Sequence, residues 1–427
     1  MLFRQLILAA TILCTYHSMA MAACLNTENK LTPEQLAPNR QECLNKARFL
    51  LNPPDVASEQ FRSLLVNPAS KKEGFVNGSI IHCRFVYQKQ NGVSAKFRCA
   101  RTNENNQLID SKGKLVPEAV GLVSEGEEVY LTDKNNERFF EMGKDDKKKH
   151  RKALIMKVRY QDGGDRNVEN YTSSAASRVF WALGIPAHSN YMTEKVVCFG
   201  CSQKPFKVQR EPLMEGGKLV VAQFIDASIE IKFDGTRLYD PTQQPWKWSE
   251  LLALHGQSTN EIRTEIEVLA LASNLVGAIG KTDMQNAVVC TNFSENNKSE
   301  CEDVVVMAHD LGAAFGSRIM KPLFGSDMPR GDLSAYDRTS VFQEGTCKFV
   351  TTDGGKEIPD TVSNNGKIEF LKRAGALTRE NLKLIFAASH MGRLQNLKQR
   401  TKVSDLEDRW VQTVVDKLKE IQQAPCK

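Results

Sequence analysis

The sequence predicts an α+β fold, a β-rich front half with one embedded helix followed by a mainly helical back half. Three observations predict it. Residues 74–159 hold short β-branched and aromatic runs separated by turn signals. Residues 168–184 switch to a helical period, with Ala175, Ala176, Val179, Phe180 and Leu183 on one face. Beyond residue 366, apolar residues recur at helical spacing over 367–375, 378–397 and 404–423.

The first 22 residues read as a secretory signal. Arg4 supplies the positive start, Leu6 to Leu13 the apolar run and Ala20-Met21-Ala22 the cleavage site. That run is too short to span a bilayer, and no later segment approaches a membrane-spanning helix. The expected location is therefore exported, periplasmic or secreted; lipid attachment at Cys24 is the alternative. Residues 23–73 read as short helical and irregular pieces broken by Pro33, Pro53, Pro54 and Pro68. The β-rich lobe spans 74–225 and the mainly helical lobe 226–427.

Cysteine usage agrees with export. Of the 11 cysteines, Cys14 lies in the signal, which leaves an even number for disulfides in an oxidising compartment. Cys83 and Cys99 flank Gln90-Asn91-Gly92, a hairpin turn between β-rich runs. Cys290 and Cys301 flank a polar turn between two Val-rich strands. Cys24 with Cys43, and Cys347 with Cys426, would complete a set, which spacing alone leaves open. Cys198-Phe199-Gly200-Cys201 admits a structural turn disulfide, a thiol-redox pair or half of a zinc site.

Within the β-rich lobe, strands are expected at 128–131, 153–159, 195–198 and 219–224. Gly184-Ile185-Pro186 stops the embedded helix, a glycine just past the end followed by proline. A long apolar helix is expected over 261–279, then a strand pair at 287–290 and 303–308. The net charge of +6 is spread over both signs and does not itself indicate nucleic acid. The densest basic run, 144–152, contains Asp145 and Asp146 and no aromatics, as a solvated loop does.

The chemistry concentrates in four places. Lys157 projects from the apolar run Ile155-Met156-Lys157-Val158, and Glu169 opens the following helix. A strand Lys held by a helix Glu can grip phosphates; a snorkelling Lys and a dipole-complementing Glu would look the same. Asp310 ends the apolar strand Val304-Val305-Val306-Met307-Ala308 at a turn made with Gly312. A carboxylate there either binds Mg²⁺ or caps its own turn. Asn286 directly precedes Ala287-Val288-Val289, where a second metal ligand would stand, and Asp283 is the candidate general base. No G-x-S-x-G, H-E-x-x-H, Walker or Rossmann motif occurs.

With these parts, residues 155–316 resemble the protein-kinase-like superfamily, nearest in layout to its atypical HipA-type and lipid-kinase-type branches. They also resemble uncharacterised exported bacterial proteins with an Ala-Ser-Arg-hydrophobic-Trp-Ala-Leu-Gly helix and an Asp-Leu-Gly-x-x-Phe-Gly turn. Those segments stand here as Ala176-Ser177-Arg178-Val179-Phe180-Trp181-Ala182-Leu183-Gly184 and Asp310-Leu311-Gly312-Ala313-Ala314-Phe315-Gly316. The resemblance implies ATP and Mg²⁺, with Lys157 on the phosphates and Glu169 orienting it. Asn286 and Asp310 would hold metal and Asp283 would be the base. The expected function is phosphotransfer to an unknown acceptor. The alternative is a non-catalytic binding protein on the same scaffold, favoured by the three-residue step from Asp283 to Asn286. A thiol-redox protein using Cys198 and Cys201 is the third class.

Overall fold

A computed structural model describes residues 23–25, 33–52, 55–56, 58–66, 75–87, 94–110, 113–116, 121–125, 128–132, 154–161, 167–231, 233, 235–238, 248–277, 286–297, 299–308, 311–316, 331–350, 359–394 and 403–427. The signal segment and the basic run 144–152 lie outside these residues. Strands are numbered along the chain. The first eight are β1 (Ala47–Arg48), β2 (Ile80–Val86), β3 (Lys96–Thr102), β4 (Gly121–Glu125), β5 (Glu128–Thr132), β6 (Ile155–Arg159), β7 (Ser189–Met192) and β8 (Lys195–Phe199). The others are β9 (Met214–Glu215), β10 (Lys218–Leu219), β11 (Val221–Ile225), β12 (Ser228–Ile231), β13 (Thr236–Arg237), β14 (Asn286–Phe293) and β15 (Cys301–Ala308). The fold is a mixture of α and β elements.

The chain forms two units. The smaller comprises Met1–Arg48, Gly235–Pro245 and Ala287–Val306. It centres on a four-stranded sheet in the order β1-β15-β14-β13, with β1 parallel to β15 and β13 antiparallel to β14. The Cys290–Cys301 disulfide staples β14 to β15, and Cys24–Cys43 ties the leading segment to the helix Pro33–Lys46. The Cys301 amide donates to the Cys24 carbonyl at 2.8 Å, and Arg48 pairs with Asp303 at 2.6 Å.

The larger unit comprises Phe49–Asp234, Trp246–Asn286 and Met307–Lys427. Its seven-stranded sheet runs β11-β8-β2-β3-β6-β12-β7, antiparallel except between β2 and β8. Alternation divides the sheet into two faces. Ile81, Cys83, Phe85, Phe97, Met156, Val158, Phe224, Ile229 and Ile231 fill a buried core. Phe97, Tyr160 and Phe224 meet there with ring centres 4.8 to 5.7 Å apart. Burying each such ring stabilises the fold by roughly 1.5–3 kcal/mol. The sheet runs on past the expected lobe boundary at 225, because β12 joins β6 to β7.

Disulfides Cys83–Cys99, Cys198–Cys201 and Cys347–Cys426 lie in this unit, the first directly bridging β2 and β3. With the two in the smaller unit, these are the five pairs that cysteine spacing suggests. Cys198 and Cys201 are fully buried, which suits a staple and not an accessible redox pair.

The embedded helix is Glu169–Ala182. Gly184 ends it at φ +75°, with Gly184 N donating to Trp181 O and Ile185 N to Phe180 O. A side chain at Gly184 would meet Arg373 Nη1 at 2.7 Å, so glycine is required twice over. The helix expected from 367 starts earlier, at Asn364, because Ser363 caps it by accepting from Gly366 N at 3.1 Å. The helix expected over 378–397 runs Arg379–Ala388 and stops before His390, which has φ +53°. Behind it, Phe315, Tyr336, Phe386 and the buried Trp410 of Val403–Gln423 form an aromatic cluster.

Candidate functional site

The second face of the seven-stranded sheet carries a small apolar cluster, Val86, Ala100 and Ile155 with Leu108 and Val116, and beside it a charged row. Antiparallel register aligns Arg98 of β3 with Lys157 of β6, and Lys157 with Glu230 of β12. The next residue in that row is Asn190 of β7. Arg159 lies two residues along β6 and therefore on the same face as Lys157. Three adjacent strands thus line up two arginines, a lysine and a glutamate, all largely buried.

Glu230 is the centre of this group. The Lys157 ammonium lies 2.9 Å from both of its carboxylate oxygens, and Arg159 Nη1 lies 2.8 Å from Oε2. Burial alone would raise the Glu230 pKa, but Lys157 and Arg159 outweigh it and hold the carboxyl well below its ordinary value. Lys157 shifts downward too, to about 8. Burial is the main cause, with Arg159 and Arg98 adding to it and Glu230 opposing. The two shifts agree physically: one carboxylate serves two cations, so it is amply compensated while the ammonium is not.

Glu169, expected to hold Lys157, stands differently. Its carboxylate accepts from Ser94 Oγ at 2.6 Å and lies 3.7 Å from Arg159 Nε. The glutamate that grips Lys157 is Glu230. The reason is the two-residue period of β6, which presents Lys157 and Arg159 side by side to whatever carboxylates approach that face. Glu169 joins the same network one ion pair further along. Nothing in the spacing of Glu230 from Lys157 pointed to the pairing, although Ser228-Ile229-Glu230-Ile231 carries a strand-like alternation.

The Asp-Leu-Gly turn meets the helix at this point. Leu311–Ala313 is a short 3₁₀ turn, and Thr172 Oγ1 donates to Gly312 O at 2.7 Å. A Cβ on Gly312 would lie 2.9 Å from Glu169 Cδ and 3.0 Å from Oε2. Backbone and carboxylate can approach so closely only because residue 312 has no side chain. Glu169 therefore links the Gly312 turn, far away in sequence, to Arg159, which shares Glu230 with Lys157.

Asp283, His309 and Asp310 lie outside the described residues. Asn286 begins β14, and its side chain is likewise outside the description. Among the described residues no group of three or more His, Cys, Asp or Glu is placed to hold a metal ion.

A second polar cluster joins the β11–β12 turn to the helix Arg379–Ala388. Asp226, at φ +53°, accepts from Tyr171 Oη and from Arg393 Nη1, the latter at 2.9 Å, and lies 3.1 Å from His390 Nδ1. Burial opposes its ionisation, but His390, Tyr171 and Arg393 keep the Asp226 pKa below its usual value. Two left-handed residues, Asp226 and His390, are thus held by one another, which explains why that helix stops where it does.

No family model matches the chain, and no curated protein matches it. Similar solved structures include a Helicobacter pylori proinflammatory kinase, CtkA, at 8% identity and TM-score 0.33. That match covers 63% of this chain and 86% of the other. The Golgi casein kinase is similar at 9% identity and TM-score 0.29, over 86% of this chain and 76% of the other. Scores of that size do not establish a shared fold.

Two outcomes follow from the network. Lys157 should titrate with a midpoint of about 8, readable as the pH dependence of its acylation by an amine reagent followed by mass spectrometry. Since its folded pKa lies below the unfolded value, the unfolded chain binds more protons between about pH 8 and 10.4, so this group makes stability rise with pH there. A midpoint above 10 would contradict the burial argument. Gly312→Ala should lower stability by about 1–3 kcal/mol in urea unfolding, because Glu169 is fixed by Ser94 and Arg159. A change within 0.5 kcal/mol, on the order of an ordinary surface substitution, would contradict the close approach.

Proposed function

We propose that this chain is an exported, atypical kinase-like protein that binds ATP with Mg²⁺ and transfers a phosphoryl group to an acceptor. The observation that carries the reading is the buried charged network that runs from Lys157 through Glu230, Arg159 and Glu169 to the Gly312 turn. Among the described residues the sheet face that carries it holds Arg98, Lys157 and Arg159 against Glu169 and Glu230. Phosphoryl transfer depends on positioning and charge neutralisation, and such a face suits a polyanion.

In this reading Lys157 contacts the phosphates, oriented by Glu230, with Glu169 bracing Arg159 and the turn. Asp310, which directly precedes Leu311, and Asn286 would hold the metal. Bound Mg²⁺ would offset the phosphate charge. Asp283 would take the proton from the acceptor hydroxyl. The β-rich part would form one lobe and the helical part the other. Export fits five disulfides. Among the described residues no helix is long and apolar enough to cross a membrane.

A second reading, a non-catalytic binding protein on the same scaffold, has two observations in its favour. The Lys157 ammonium is already engaged by both oxygens of Glu230, and the step from Asp283 to Asn286 is short. Thermal unfolding of the oxidised chain with and without ATP and Mg²⁺ separates these. At a hundred times Kd, ligand should stabilise the fold by about 2.7 kcal/mol, and Asp310→Ala should abolish the shift. No shift at millimolar ATP would overturn the enzyme reading and leave the binding protein.

A further inference from the structure

The seven-stranded sheet ends on one side at β11, and among the described residues no strand lies beyond it. Which backbone groups face that open side follows from the ladder. Gly200 N donates to Val220 O at 2.6 Å, and Asp226 N donates to Glu194 O at 3.4 Å, so both ends of β11 bond the residues that bracket β8. In an antiparallel pair, residues that bond the neighbour alternate with residues that do not. Val220, Ala222, Phe224 and Asp226 therefore face β8. Val221, Gln223 and Ile225 turn their amides and carbonyls outward.

Sheet edges are ordinarily guarded by a lysine, a proline, a bulge or a covering segment. The first three are missing from β11. Leu219-Val220-Val221-Ala222-Gln223-Phe224-Ile225 contains no charge and no proline. Its register with β8 runs from Val221 opposite Phe199 to Ile225 opposite Lys195 without a skipped residue. The edge is also apolar where it meets solvent. Val221 is 47% exposed and Ile225 70%, both on one face, while Ala222 and Phe224 on the other face are buried. Leu213 and Met214, in the hairpin that leads into β11, are exposed as well.

We infer that the β11 edge is a self-association surface, on which a second copy of this chain pairs antiparallel through its own β11. The occupant follows from the symmetry of the strand. A twofold axis at Gln223 sets Val221 opposite Ile225 of the second copy, Ala222 opposite Phe224, and Gln223 opposite itself. The outward residues then form three hydrogen-bonded pairs, about six main-chain bonds in all. The two exposed β-branched side chains cover each other, and the two glutamine amides meet across the axis. Charge agrees with this partner. No ionised side chain lies on β11, so two copies bring no like charges together, and an acidic or basic strand would find no counter-charge there. Lys195 stands one strand back, opposite Ile225, and the axis sends its two copies to opposite ends of the junction. The edge is four strands away from Lys157, so the inference is independent of the proposed phosphotransfer.

The test is sedimentation equilibrium of the full, oxidised chain over about 1–200 µM, a range suited to a small interface, joined to amide hydrogen exchange at both ends of that range. A reversible dimer is expected, with the Val221, Gln223 and Ile225 amides protected in the dimer and exchanging freely in the dilute monomer. Gln223→Pro should abolish dimerisation, since it removes an outward amide and leaves the ladder to β8 intact. If that variant unfolds, Ile225→Lys should still weaken association about tenfold or more, because it puts a charge into the junction twice. Gln223→Cys should give a disulfide-linked dimer on a non-reducing gel. Ile368→Cys, exposed on the helix Asn364–Ala374, should not. A monomer at every concentration overturns the proposal. So does a dimer that Ile225→Lys leaves unchanged, which would use another surface. Protection of the three amides that persists in the dilute monomer also overturns it, because another segment of the same chain would then cover the edge.

Discussion

The Glu230 carboxylate is the constraint around which the larger unit is organised. It takes Lys157 and Arg159 at hydrogen-bonding distance within a sheet whose opposite face is solid hydrocarbon. Two buried cations side by side on one strand would be costly without it, since an unpaired buried charge costs several kcal/mol. β12 is short, and its place between β6 and β7 supplies the carboxylate where the cations are. Apolar packing decides which face of the sheet is inside; this pairing decides what the other face can do.

The rest of the site is arranged around that face in sequence. Arg159 reaches Glu169, Glu169 reaches Ser94, and the Gly312 backbone closes against the Glu169 side chain. The helix Glu169–Ala182 is therefore tied to the sheet by charge and to the 3₁₀ turn by the Thr172 hydrogen bond. Its far end is fixed by the Gly184 stop, and Tyr171 in its first turn by Asp226. A helix so held cannot shift without breaking buried polar contacts, which makes it a rigid reference for anything the face binds.

Much of this was legible in the sequence, and the exceptions have physical causes. Cysteine pairs across a hairpin turn are legible because a short polar turn leaves two strands little choice of register. Gly184-Ile185-Pro186 is legible because left-handed backbone and a missing amide are local properties. The chemistry of Lys157 was visible as a charge in an apolar strand. Its partner was not, because Glu230 lies 73 residues away and cross-strand neighbours depend on sheet order. Glu169 was placed near the right strand but faces Arg159, since periodicity identifies a face and not a position along it. The early stop before His390 was hidden because a tertiary contact with Asp226, and no proline or glycine, sets it.

The claim that Glu230 anchors this face is tested most directly by a double-mutant cycle between Lys157→Met and Glu230→Gln, read by urea unfolding. Glu230→Gln should cost about 3–5 kcal/mol, because it leaves two buried cations without their carboxylate, and Lys157→Met should cost less, because Arg159 still holds Glu230. The double change should cost less than their sum by at least ~1.5 kcal/mol, the interaction expected of residues in contact. Costs that add to within ~0.5 kcal/mol would show that the two side chains are energetically independent and would contradict the account.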